Sequence, residues 1–258
     1  MLLTGDYLTH TPYSHGKNTV EENVARAKQL GLKQVAISDH GFSHYLFGLR
    51  RRQLASYIAE CKTAAEKYGI DVLVGIESNI RGVEGGTDLT AEDYEKFDVF
   101  LCGNHTCSYT TTFRDFLTYS SPNLFGYKIL HHKTERMVKR NTKAYINVIK
   151  NNPVDAITHL TYLCPADALE VAKCAADYGT YIELNAKKTH LTDEELNDII
   201  QKTEARFIVN SDAHSVDRVG DTKLVDEQLS RLQFPMERID NIDGRYPNFR
   251  LQEYKKHM

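Results

Sequence analysis

Histidines and carboxylates in this 258-residue chain fall where short β-type runs end: His10 and His15, Asp39 with His40, Glu77, His105, His159, and Asp212 with His214. Imidazole nitrogens and carboxylate oxygens are donors that suit Zn, Mn or Fe, and this set exceeds what one ion needs. A carboxylate such as Glu77 can bridge two ions. Two adjacent ions acidify a shared water and neutralise an oxyanion, which is what phosphoester hydrolysis demands. Asp39, directly before His40, is expected to turn away from the ions and orient a ligand instead. Each residue also has a plainer reading. His10 and His15 alone could be solvated loop residues, Glu77 could pair with Arg81 four positions on, and His159 could be a core histidine satisfied by backbone. What argues for chemistry is that all of them recur at strand ends.

Cations to grip an anionic substrate are fewer. Arg218 follows the Asp212 and His214 pair and can present a planar fork of donors to a phosphate. Arg50, Arg51 and Arg52 read as a solvated helix face or an anion contact, and Lys187 and Lys188 follow the run that ends at Leu184. His44, His131, His132, His190 and His257 have no partner in the pattern, while Cys102 and Cys107 read as structural thiols. No serine elbow or Cys–His pair points to covalent catalysis.

The elements that must position these residues alternate between short apolar β-type runs and longer helical patterns, the signature of βα units with a parallel sheet. Strands are expected over 2–7, 34–38, 71–76, 97–102, 154–158, 181–184 and 206–210. Helices are expected from Thr19, where Thr19-Val20-Glu21-Glu22 matches a capping box and Val20, Val24, Ala27 and Leu30 share a face, and over 49–68 and 133–150. Two more start at Pro165 and at the capping box Thr192-Asp193-Glu194-Glu195. Gly31, Gly69 and Gly179 are the stops. The stretch 106–126, rich in Thr, Ser and Tyr, reads as a long excursion over the barrel mouth. Strand number and order favour an irregularly closed α/β barrel over an open sheet, with its chemistry at the C-terminal strand ends.

At this point the residues carry a resemblance. Gly5-Asp6-Tyr7-Leu8-Thr9-His10-Thr11 with Tyr13-Ser14-His15-Gly16, Ile37-Ser38-Asp39-His40-Gly41, Gly75-Ile76-Glu77, Ala156-Ile157-Thr158-His159 and Ser211-Asp212-Ala213-His214-Ser215 resemble the successive motifs of the PHP (polymerase and histidinol phosphatase) family. The resemblance runs from Gly5 to about Gly220. It implies a distorted seven-stranded βα barrel and phosphoesterase chemistry at two to three divalent ions. Carried over by position, His10, Glu77 and Asp212 would hold a first ion, Glu77, His105 and His159 a second, and His15, His40 and His214 a third. Asp212, His214 and His159 would be the catalytic side chains, and Arg218 has the best claim to the phosphate. The family pattern on the first strand is His-x-His, whereas this chain has Leu8-Thr9-His10. Leucine cannot ligate a metal, so the first ion would lack a ligand.

Composition sets the bounds. Hydrophobic residues make up 41% and charged residues 26%, ordinary for a globular core, and the net charge of -3 argues against a nucleic-acid-coating role. An odd five cysteines without CxxC spacing fit a reducing cytoplasm. No apolar run reaches membrane-spanning length, and a charge at Asp6 interrupts any leader pattern. The expectation is one barrel domain over 1–258, acting on a small phosphorylated substrate such as histidinol phosphate. The rivals are an amidohydrolase-like C–N hydrolase, whose class commonly adds a mid-barrel lysine ligand, and a non-catalytic metal-binding relative.

Overall fold

The computed structural model describes residues 1–257. Its strands are β1 Gly5–Thr9, β2 Gln34–Ile37, β3 Asp71–Asn79, β4 Val99–Gly103, β5 Ala156–Ile157, β6 Tyr181–Asn185 and β7 Phe207–Asn210. All seven are parallel and follow one another in chain order. The sheet nearly closes on itself: His10 N donates to Ala213 O at 2.8 Å and Ala213 N to Leu8 O at 3.2 Å. Towards the opposite end β1 and β7 splay, and the gap is filled by a late segment. There Leu3 pairs with Ile242 and Phe207 with Ile239. The Asn241 amide bridges the splay, donating to Gly5 O at 2.9 Å and accepting from Val209 N at 2.9 Å. A side-chain amide thus does the work of a strand where none fits.

Strict alternation sorts the strands into two cores. On β4, Phe100 and Cys102 face the helices, while Val99 and Leu101 join an inner cluster with Ala36, Ala156, Tyr181, Ile208 and Phe249. On β1 the register slips by one residue between Asp6 and Thr9. As a result Tyr7 and Leu8 both belong to the inner cluster, and Leu8 is fully buried there.

The helices are α1 Val20–Gln29, α2 Leu54–Tyr68, α3 Phe113–Asp115, α4 Glu135–Asn151, α5 Ala168–Tyr178, α6 Asp193–Lys202, α7 Lys223–Leu229 and α8 Arg250–Lys255. Both expected capping boxes are present: Glu22 N donates to Thr19 Oγ1 at 3.2 Å, and Glu195 N to Thr192 Oγ1 at 3.1 Å. Elsewhere the boundaries move, each for a local reason. The first strand starts at Gly5 because Leu3 is drawn to Ile242. Leu30 caps α1 and stays exposed, since the chain turns at Gly31 with φ 81°. The helix after Pro165 begins at Ala168, where the Asp167 side chain accepts from Glu170 N at 3.0 Å. The excursion is helical rather than loop-like from Phe113 to Ile129, but with wide π turns over Phe116–Ser120 and Pro122–Ile129. Those turns lack the 3.6-residue period that would have announced a helix. No helix among the described residues is long and apolar enough to cross a membrane.

Candidate metal centre

Parallel closure brings every C-terminal strand end to one rim. His10 follows β1 directly, and the turn beyond it carries His15. Asp39 pins that turn, accepting from Thr11 N at 2.8 Å and from the Thr11 and Ser14 hydroxyls. His40 leaves β2, Glu77 lies within β3, and His105 and His159 sit two residues beyond β4 and β5. Asp212 and His214 follow β7. His159 and Asp212 hold left-handed backbone, at φ 33° and 49°, which costs non-glycine residues about 1 kcal/mol or more and persists where the surroundings impose it. Gly103 makes room for the ring of His159, since a Cβ there would lie 2.5 Å from its Cε1.

Glu77 is the hub. Its Oε2 is 2.8 Å from His40 Nδ1, 3.4 Å from His105 Nε2 and 3.7 Å from His10 Nε2, and its Oε1 is 2.9 Å from His159 Nε2. His10 Nε2 is also 3.4 Å from Asp212 Oδ1, which lies 3.2 Å from His214 Nδ1. His15 closes the group, its ring 4.2 Å from that of His214 and 4.8 Å from that of His40. All the expected ligands therefore converge, and donor atoms of His10, His40 and His214, and of His40, Glu77 and His105, lie within 4.8 Å of one another. His40 belongs to both groups, whereas the carried-over sets place it only with His15 and His214.

Glu77, Asp212 and His40 are held in the forms that metal binding needs, while His159 is pushed up, because the Glu77 carboxylate outweighs its burial. Burial would raise the Glu77 carboxyl, but His105 and His40 beside it hold it well below the usual range. Burial opposes ionisation of Asp212 too, and the His10 and His214 rings beside it outweigh it. Burial pushes His40 well below the ordinary imidazole value, so its ring is neutral. Yet buried His10 Nε2 and His40 Nδ1 make no hydrogen bond, although carboxylate oxygens sit close to both. Imidazole nitrogens turned on buried carboxylates in this way form a donor set suited to a divalent cation.

Amides fix the ligands from behind, and the sequence reading missed them. Asn79 Oδ1 lies 2.8 Å from His105 Nδ1, which directs the other ring nitrogen at Glu77. The amide cannot flip, because its Nδ2 donates to Asp88 Oδ2 at 2.7 Å. Asn185 Nδ2 donates to Asp212 Oδ2 at 3.3 Å and to Glu183 Oε2 at 3.0 Å. Glu183 Oε2 also accepts from His159 N at 2.7 Å, and burial pushes its carboxyl up to about 7. Both asparagines end strands as Glu77 nearly does, and that position was the available signal.

The cations fall differently from expectation. Lys187 lines the cavity of about 270 Å³ above the cluster, its Nζ 3.3 Å from Asp212 Oδ1 and 3.0 Å from His214 Nδ1. Arg218 does not line it. Its guanidinium is turned to Asp221 Oδ2 at 2.6 Å and to Ala186 O at 3.0 Å, so it braces the loop that carries Lys187. Arg50 donates to His44 O and Tyr45 O, and Arg51 is held by Asp93. Arg81 donates to backbone carbonyls, which removes the plain ion-pair reading of Glu77. His44 and His190, set aside in the sequence, do approach the cluster. The His44 ring stacks 5.4 Å from that of His40, and the His190 ring is 5.7 Å from that of His159. Cys102 is buried, whereas Cys107 lines the cavity.

The geometry can be set beside known proteins. A family model described as PHP domain matches residues 6–187. A protein of Caldanaerobacter subterraneus subsp. tengcongensis described as a probable phosphatase is 29% identical over 261 residues, covering 97% of this chain and 92% of that protein. A second protein so described, from Acetivibrio thermocellus, is 28% identical over 248 residues, covering 92% of this chain and 90% of its own length. Among solved structures, histidinol phosphate phosphatase of Lactococcus lactis subsp. lactis, complexed with zinc, L-histidinol and phosphate, superposes with a TM-score of 0.61. At 14% identity, over 96% of this chain and 100% of that one, the likeness is one of fold.

Proposed function

The chain belongs to the PHP domain family, and from that premise we propose that it is a metal-dependent phosphatase hydrolysing a small phosphomonoester at a multinuclear centre. The observation that carries this reading is Glu77, a buried carboxylate with four imidazoles around it, three of which (His10, His40 and His159) have an unpartnered ring nitrogen. Glu77, His105 and His159 would hold one ion, and His15, His40 and His214 another. His10 and Asp212 would share a third with Glu77. Leu8 takes the place of that third ion's remaining ligand with a hydrocarbon packed into the barrel interior, so we expect this ion to bind most weakly. Bound divalent ions would supply Lewis acidity and an acidified water.

The chain's own residues do the rest. Lys187, next to Asp212 and His214, is poised to hold a phosphoryl oxygen at the cavity mouth, the role first expected of Arg218. Arg218 keeps Lys187 in place through Ala186 O. The proton for the leaving alcohol is held by the Asp212 and His214 pair or by His159, which all face the cavity. Asn79 and Asn185 fix the rings and carboxylate, so that little reorganisation is needed on reaction. A cavity of about 270 Å³ admits a small substrate, and the histidinol phosphate phosphatase fold makes histidinol phosphate the first compound to try. The test is phosphate release from a panel of small phosphomonoesters by protein stripped of metal and then reloaded with Zn, Mn or Fe. Turnover that returns with metal supports the proposal, and a silent panel in the reloaded protein sinks it.

A further inference from the structure

A second cavity, of about 700 Å³, lies between the Gly82–Gly86 loop, the start of the excursion and helix α4. Arg136, Arg140, Lys143, Asn147 and Asn151 follow one another at helical spacing and so share a face of α4. The later part of that face is engaged with the loop. Asn147 Nδ2 donates to Val83 O at 2.8 Å, Asn151 Nδ2 to Glu84 O at 3.2 Å, and Lys143 Nζ meets Glu84 Oε1 at 2.8 Å. The earlier part has no such partner. Among the described residues, the guanidinium groups of Arg136, Arg140 and, across the cavity, Arg114 make no ion pair. Arg140 Nε is removed from solvent and makes no hydrogen bond.

Arg114 and Arg136 are exposed, and Arg140 is half-buried. Burial, followed by the neighbouring Arg136, lowers the Arg140 guanidinium below its ordinary value. The local charge also runs against that of the whole chain. Arg114, Arg136, Arg140 and Lys143 outnumber Glu84 and Asp115 by two charges, in a protein of net charge -3. Both acids already have partners: Glu84 meets Lys143, and Asp115 accepts from Thr112 Oγ1 at 2.6 Å and Val83 N at 3.2 Å. The walls are tightly joined, since a Cβ on Gly85 would lie 2.6 Å from Asn147 O and one on Gly86 2.3 Å from Thr111 Oγ1.

We propose that this cavity binds a small anion carrying at least two phosphate groups, at a site separate from the metal centre. Guanidinium forks match phosphate oxygens in pairs, and the volume falls in the range of small-ligand sites. None of the arginines belongs to the metal centre, so the site is open to an effector without interrupting turnover.

The test is titration calorimetry on metal-replete protein, in buffer holding divalent metal in excess, with inorganic pyrophosphate, ADP and fructose 1,6-bisphosphate. One equivalent of binding is expected, weakened about tenfold or more in Arg136→Gln and in Arg140→Gln and unchanged in Lys187→Gln. Both arginine variants should retain wild-type phosphate release, which also shows that they are folded. Preference for ADP would identify a nucleotide as the source of the phosphates, and preference for the bisphosphate a phosphorylated sugar. The proposal is overturned if none of these probes binds, if sulfate at equal ionic strength competes as well as pyrophosphate, if a short oligonucleotide binds more tightly than all of them, or if Lys187→Gln abolishes binding that Arg140→Gln spares.

Discussion

Replacing Leu8 by histidine restores the ligand pattern and disturbs the barrel at once, and the structure allows the two effects to be separated. Leu8 is fully buried in the inner cluster with Leu101, Ile208 and Ala36. Removing its side chain from that cluster forfeits about 1.5–3 kcal/mol of burial. Leaving an imidazole there without a partner costs about 1–3 kcal/mol more. In metal-free protein Leu8→His should therefore lose about 3 kcal/mol or more, which for a chain of this size is a fall in Tm of about 6–12 °C. With metal present the new imidazole gains a partner, the His10, Glu77 and Asp212 set is completed, and part of that loss is recovered. The assay is thermal unfolding of both proteins, metal-stripped and metal-replete, alongside metal content and phosphate release. The metal-dependent gain in Tm should be larger in Leu8→His, with more metal bound per chain. An equal loss of stability in both states, with unchanged metal content, would refute the placement of Leu8 at a ligand position.

Other outcomes follow from the same geometry. Lys187→Gln should raise KM for a phosphomonoester about 10-fold to 100-fold, the worth of a hydrogen bond to a charged group, while Arg218→Gln changes it less; the reverse order in steady-state kinetics would return the phosphate to Arg218. Asn79→Ala should weaken metal binding about 10-fold to 100-fold by freeing the His105 ring, measured by competition with a chelating dye, and unchanged affinity would show that the amide does not orient that ligand. Burial pushes the Asp155 carboxyl up to about 7 despite backbone donors at Phe100 and Leu251, so the folded chain holds a proton that the unfolded chain has released. Stability from this group is thus full below the unfolded pKa near 3.8 and declines as pH rises towards 7, by up to about 4 kcal/mol. Asp155→Asn, which cannot ionise, should gain stability relative to wild type across that window in denaturant titrations at successive pH values, and a pH-independent difference would contradict the shift.

The sequence exposes the rim side chains because a parallel barrel fixes where strand ends go: His10, His40, His105, His159 and Asp212 each follow a strand, and Glu77 lies in the last residues of β3. It hides whatever depends on neighbours across the barrel. Asn79 and Asn185 look like ordinary polar strand ends until Asp88 and Glu183 are seen holding their amides. Lys187 rather than Arg218 reaches the cavity because β6 lies between β5 and β7, so its outgoing loop opens between His159 and Asp212. Proximity in sequence to Asp212 pointed to Arg218, which in the fold turns to Asp221 and Ala186 O. Leu8 is a further case: the motif departs from the family pattern there, but only the register slip in β1 shows where the leucine goes, which is into the barrel interior.

The central claim is that Glu77 and its imidazoles hold divalent ions, and anomalous diffraction at the Zn, Mn and Fe edges, with elemental analysis of the same protein, tests it most directly. Peaks are expected between Glu77, His105 and His159 and among His15, His40 and His214, with a weaker one beside His10 and Asp212. Crystals grown with metal that show no anomalous peak touching Glu77, or peaks only elsewhere on the chain, would contradict it.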